Sequence, residues 1–241
     1  MLARSNITLS IASSELSLGG APLTLRVNRR ARKLTLRLDR RGDRLTLTVP
    51  AHVSRRKALA WAATHEEWAR GAVAARPEVA RLAPGEALML FGRPHLIDWH
   101  EARPRRIALA EDRIVCGGPL EGLEARLLRW LRREALALLT RDTQEYAAKL
   151  GKAAGRVSIG DPRSRWGSCS ARGDIRYSWR LILTPDFVRR STVAHEVAHM
   201  VHMHHGPEFH ALVAELFGDD PAPARAWLRR ESAQLHRVGA A

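Results

Sequence analysis

The run V-A-H-E-V-A-H-M-V-H-M-H-H-G-P-E-F, residues Val193 to Phe209, decides how this chain is read. With His210 it holds six of the chain's eleven histidines. On a helix, successive residues turn by about 100°, so His199 lies about 40° from His195 and one turn along. Two imidazoles so placed converge on one ion. Glu196 falls near 100°, at the shoulder of that face, where a carboxylate reaches a water beside the ion rather than the ion itself. Val193, Val197, Met200 and Val201 occupy the opposite side. This phasing gives an apolar back for a core and a ligand front for a cleft.

A tetrahedral ion needs a third protein ligand. If the helix continues, His202 lies about 10.5 Å along the axis from His195, too collinear to share one ion. Gly206 can cap a helix and Pro207 can open the next, so the chain is expected to turn there and swing His205 back toward the pair. His204, His210, Glu208 and Glu215 stay open as alternatives. A purely structural zinc favours four closed ligands, usually with cysteine, and only Cys169 is available nearby. Three neutral imidazoles would leave a dication its full charge, which favours hydrolysis with Glu196 taking the water's proton. Donors to the developing oxyanion are sought among Tyr177, Arg165, Arg180 and the spare histidines.

Working outward, Trp166 to Leu183 reads as a hairpin with its turn at Gly173-Asp174, and Tyr177, Trp179, Leu181 and Leu183 alternate. Pro185 starts the helix that carries the motif. Upstream, Glu121 to about Leu150 has the apolar spacing of a long amphipathic helix: Leu127, Leu128, Leu131, Leu136, Leu138 and Leu139. Leu88–Phe91, His95–Trp99 and Arg113–Cys116 read as short strands. At the N-terminal end, Leu23/Leu25/Val27, Leu34/Leu36/Leu38 and Leu45/Leu47/Val49 alternate as an antiparallel meander with a turn at Gly42. Ser54 is an N-cap for one helix to about Ala75. No internal repeat is visible, and the weakest join falls near residues 76–86.

The 241 residues are 45% hydrophobic and 27% charged, as in an ordinary soluble protein. No apolar run is long enough for a membrane span, and Met1–Gly20 lacks the pattern of a secretory leader. Two distant cysteines, Cys116 and Cys169, exclude a disulfide framework and fit a cytoplasmic location. The net charge is +15, and Lys occurs only at Lys33, Lys57, Lys149 and Lys152, so nearly all of it is arginine. Dispersed arginines read first as a solvated basic surface shaped by codon preference, with weak nucleic-acid association as the alternative.

Two stretches resemble the YgjP-like metallopeptidases, zincin-type proteins related in motif to the SprT-like group. They are R-W-G-S-C-S, Arg165 to Ser170, continued by I-R-Y-S-W-R-L-I, Ile175 to Ile182, and the motif run itself. The resemblance covers roughly residues 22–235. It departs at His210, where the family usually has Trp, and at Ser178, where it often has Asn. It implies an α+β fold: a zincin-like catalytic part at 81–241, its active-site helix beside a small antiparallel sheet, after a β-rich part at 1–80 made of the meander and its helix, with one continuous domain as the alternative. It also implies one Zn2+ per chain on His195, His199 and His205, with Glu196 as the catalytic base. Arg165, Trp166, Tyr177 and Arg180 are the expected substrate contacts. A peptide or protein is the expected substrate. The alternatives are a nucleoside triphosphate, clamped by arginines although no Walker-type loop is present, and a DNA-associated module.

Overall fold

A computed structural model describes residues 16–39, 43–75 and 80–239. The turn expected at Gly42 lies outside them, as does most of Met1–Gly20. The chain divides into two units, residues 1–77 and 78–241.

In the first unit, β1 (Ser17–Leu18), β2 (Ala21–Asn28), β3 (Thr35–Leu38) and β4 (Leu45–Pro50) form one sheet in the order β1-β2-β4-β3. The strands fall where the alternation puts them, but they are not a meander. β4 inserts between its predecessors, parallel to β2 (Leu25 beside Leu47) and antiparallel to β3 (Leu36 beside Leu47). Period-two alternation marks which residues face the core and is blind to strand direction. The central place goes to the most buried strand, since Leu45, Leu47 and Val49 are all sealed from solvent.

The helix expected from Ser54 to Ala75 is two helices, α1 (Arg55–Ala63) and α2 (Glu66–Ala74). The Ser54 hydroxyl caps α1 by accepting from Lys57 N–H. The break has a local cause: the Thr64 hydroxyl donates to the Trp61 carbonyl at 2.7 Å, and His65 Nδ1 lies 3.0 Å from the same oxygen. Side chains that take a helical carbonyl compete with the helix itself.

The second unit opens with β5 (Ala87–Leu90), β6 (Arg93–Trp99), β7 (Ala108–Ala110) and β8 (Arg113–Cys116), in the order β5-β6-β8-β7. Its outer pairs are antiparallel and its central pair is parallel, the same topology as the first sheet. Both begin with a two-residue turn in the left-handed region, Gly19-Gly20 in one and Phe91-Gly92 in the other. The repeat invisible in the sequence is therefore present in the topology. Burial and turn geometry define such a sheet, and many side chains satisfy them.

Then come α3 (Leu123–Lys149), β9 (Val157–Gly160), β10 (Gly167–Cys169), β11 (Ile175–Ser178), a 3-10 turn at Trp179–Leu183, α4 (Asp186–Ala198), α5 (Pro207–Phe217) and α6 (Ala222–Arg237). The third sheet, β10-β11-β9, is mixed: β10 runs antiparallel and β9 parallel to β11. The expected second strand stops at Ser178. All five residues of the 3-10 turn are buried, so the alternation read there has no solvent face behind it. Leu127, Leu131 and Leu139 of α3 join Tyr177, Val193, Val197, Phe209 and Val213 in one core, while Leu136 turns outward. Among the described residues no helix is long and apolar enough to cross a membrane.

Two buried arginines fix the frame. Arg189 of α4 donates to Asp142 of α3 at 2.7 Å, with both side chains enclosed. Arg180 grips Asp161 with two nitrogens, at 2.9 and 3.1 Å, and donates to the carbonyls of Leu235 and Val238. It thereby ties the 3-10 turn to the loop after β9 and to the end of α6. Removing Arg180 takes the cation from Asp161, which is partly exposed, and leaves the buried carbonyls of Leu235 and Val238 without their donor. Arg180→Met is expected to lower unfolding free energy by about 2–4 kcal/mol, read as a shift of the urea midpoint. A loss under about 1 kcal/mol, the range of a surface ion pair, would show the network to be dispensable.

Candidate metal centre

The C-terminal end of α4 supplies the first two imidazoles. The helix ends sooner than its sequence suggests: His199 is already its C-cap. Met200 N–H turns back to the Val197 carbonyl, and His202 N–H to that of Ala198. His202 therefore does not continue the helical face. Its carbonyl accepts instead from His199 Nδ1 at 3.0 Å, which leaves Nε2 as the free lone pair. The chain reverses through residues 200–206, Gly206 caps α5, and Pro207 takes the first position.

That reversal delivers His205. The ligand nitrogens of His195, His199 and His205 all lie within 4.8 Å of one another, and Nε2 of His205 is 3.2 Å from Nε2 of His195. Two imidazoles bound about 2.0–2.1 Å from a tetrahedral ion have nitrogens about 3.3 Å apart, so the spacing fits one. His204, His210, Glu208 and Glu215 are not in the cluster. Beneath the triad lies Phe209, fully buried, with ring centroids 4.9, 4.5 and 4.6 Å from those of His195, His199 and His205. This phenyl support was missed in the sequence, although its place two residues after Pro207 was the available signal.

Desolvation, then repulsion from His199 and His205, pushes the His195 imidazole down to about 4. It is neutral at physiological pH, so a metal need displace no proton from it. Glu196, only 5% exposed, is pushed up to about 7 by burial, with the Arg165 charge pulling the other way. Gly167 of β10 makes room for it. A Cβ there would stand 2.5 Å from Glu196 Oε1, so the glycine of R-W-G-S-C serves the close approach of strand and carboxylate. The Cys169 thiol rises to about 11 through burial and the negative charges of Glu196 and Asp174, which keeps it protonated and non-nucleophilic.

The four expected substrate contacts separate into two pairs. Arg165 and Trp166 line the cleft with His195 and Glu196. Tyr177 and Arg180 do not. Tyr177 is sealed in the core with its hydroxyl 3.0 Å from Thr143, and Arg180 is spent on Asp161 and the end of α6. Tyr177 faces inward from β11 and Arg180 lies in the buried 3-10 turn after it, which a linear motif does not reveal. The far wall comes from Ser191 and Thr192 of α4, Val213 of α5, and Ala224, Arg225 and Leu228 of α6.

Two measurements follow from this packing. Gly167→Ala is expected to keep its metal yet lose at least about tenfold in turnover, because about 1 Å of displacement at a catalytic group is costly. Full activity in that variant would mean Glu196 tolerates another position. In the metal-free protein, Glu196 has a folded pKa of about 7 above its unfolded 4.5, so its favourable contribution is complete below pH 4.5 and is lost as pH rises through 7. Glu196→Gln should therefore stabilise the metal-free chain at pH 8, with the gain fading by pH 4.5 in urea titrations. A gain constant with pH contradicts the desolvation argument.

Comparison with known proteins places this region in a family. A model of the family described as YgjP-like, metallopeptidase domain, matches residues 32–231. No curated protein and no solved structure matches the chain. That match takes in α4, the His195–His205 reversal, β10 and most of α6, and the chain belongs to the YgjP-like family of metallopeptidase domains.

Proposed function

We propose that the protein is a zinc-dependent peptidase that cleaves an extended chain lying along β10. The observation that carries this is the convergence of three imidazoles, one of which, His195, lines an open cleft together with the buried carboxylate of Glu196. Nitrogen donors suit zinc and disfavour magnesium, which prefers oxygen. When bound, the ion supplies Lewis acidity, acidifying water and polarising the bond under attack.

The chain's own residues do the rest. Glu196 accepts the proton of the attacking water and returns it to the leaving amine. A dication held by the three imidazoles would favour the ionised carboxylate of Glu196, the form that accepts the proton. His199, held by the His202 carbonyl, keeps its ring orientation. β10 is an edge strand whose inward groups pair with β11: Ser178 N–H reaches the Trp166 carbonyl, and Ser170 N–H that of Asp174. By antiparallel alternation, the backbone groups of Gly167 and Cys169 point outward. They can pair with a substrate strand in place of side-chain recognition.

A nucleoside triphosphate is the second reading. It is favoured by one observation, that Arg165 and Arg225 both line the cleft. The edge strand and the absence of any phosphate-cradling loop favour the peptide. Glu196→Gln should hold zinc near one per chain while kcat on a peptide library falls by about 10²–10⁴-fold. Phosphate or pyrophosphate release from nucleotides, without peptide cleavage, moves the assignment to the second reading. Undiminished activity in Glu196→Gln removes the mechanism altogether.

A further inference from the structure

The cleft that His195 and Glu196 line is a cavity of about 250 Å³. Most of its lining is apolar, with Trp166, Val213, Ala224 and Leu228 among it. Two arginines also line it, Arg165 from the segment before β10 and Arg225 from the start of α6. Both residues are exposed. Elsewhere around α4, cations meet carboxylates: Arg189 with Asp142 and Asp186, Arg190 with Glu145, Arg180 with Asp161. Arg165 and Arg225 form no such ion pair among the described residues. Arg165 also borders an open groove over β9, β10 and β11 that contains Arg156 and Arg176. The one carboxylate there, Asp174, accepts from Arg156 N–H at 2.8 Å.

Two arginines at an apolar cavity, neither in an ion pair among the described residues and only Arg165 acting on Glu196 from a distance, describe a receptor for an anionic group on an apolar stem. A guanidinium binds a carboxylate through a planar fork, and does so most strongly away from bulk water. Because His195 and Glu196 line the same cavity, the residue that fills it adjoins the scissile bond. We propose that this cavity selects substrates for a carboxylate, supplied by a Glu or Asp side chain or by the C-terminus of the peptide, and that Arg225 is the residue that confers the selection. The stem packs on Trp166 and Leu228, and Arg165 and Arg225 meet the charge. This rests on the peptidase reading.

The test uses zinc-loaded full-length protein and decapeptides carrying Glu or Gln at one position, each as free acid and as C-terminal amide. Cleavage by the wild type should favour Glu over Gln by about tenfold to a hundredfold in kcat/KM, the effect of one charge-assisted hydrogen bond. A preference that tracks the free acid instead assigns the terminal carboxylate. In Arg225→Gln the ratio should fall toward one, chiefly through KM, and Arg225→Glu should turn the preference toward Lys. Binding of the same peptides to Glu196→Gln, followed by fluorescence anisotropy, reads selection without turnover. If that binding discriminates carboxylate from amide and loses the discrimination in Arg225→Gln/Glu196→Gln, the carboxylate site stands even where no peptide is cut, and only the peptidase reading fails. Equal binding of Glu and Gln peptides, with free acid and amide also bound alike, overturns the proposal. So does a single-stranded oligonucleotide bound more tightly than any acidic peptide.

Discussion

The site depends on where α4 stops. Had the helix continued past His199, His202 would have shared its face and His205 would have been carried away from the pair. Instead the backbone tightens after Val197, with the N–H groups of Met200, Val201 and His202 turned back onto Val197 and Ala198. The His202 carbonyl, released from any helical role, accepts from His199 Nδ1. One event thus ends the helix, fixes the tautomer of a ligand and starts the reversal that returns His205. The reversal also sets the start of α5, which places Phe209 beneath all three rings. A rigid aromatic surface under three imidazoles limits their rotation before any ion arrives, which is the preorganisation a metal site needs.

The same packing makes the metal-free cleft unfavourable to its own charges. Burial works against the ionised form of Glu196 and the protonated form of His195 at once. Both effects would weaken an ordinary core. Here each is turned to use, since a neutral imidazole is a ligand and a desolvated carboxylate is a strong proton acceptor. The frame that tolerates this is held by the enclosed pair Arg189–Asp142 and by the buried Arg180 on a partly exposed Asp161. Those pairs set the positions of α4 and the end of α6, so the cleft walls do not relax around an unfavourable interior.

Periodicity made the α4 phasing, the α3 stripe, the Ser54 cap and the Gly206-Pro207 start of α5 legible, because each is decided by residues within a turn or two. His205 was legible because Gly-Pro announces a new helix. Three things were not. Strand direction in the N-terminal sheet depends on which strand wins the central place, and alternation is the same either way. The break at Thr64-His65 depends on two side chains competing for the Trp61 carbonyl, in a segment whose apolar spacing still reads as one helix. Tyr177 and Arg180 lie in the motif stretch that lines the cleft at Arg165 and Trp166, yet Tyr177 sits on the core face of β11 and Arg180 in the buried 3-10 turn after it. A motif therefore mixes residues that line the cleft with residues that hold the fold, and only depth in the fold separates them.

The arginine excess divides on the same principle. A net charge of +15 spread along a sequence reads as a solvated surface or a polyanion contact. In the fold, some of it is interior and matched: Arg180 and Arg189 act as cross-links between elements, each satisfied by carboxylates, and by carbonyls in the case of Arg180. Arg190 and Glu145 do the same at the surface of α3 and α4. Arg165 and Arg225 are of another kind, since they line the cleft and form no ion pair among the described residues, although the Arg165 charge acts on Glu196 across it. Placing two unmatched cations near a site meant for a dication works against metal binding by like-charge repulsion. The fold has an apolar wall there that neutral side chains could have completed. That the cations stand there nonetheless is the physical reason to look for negative charge on the substrate rather than on the protein.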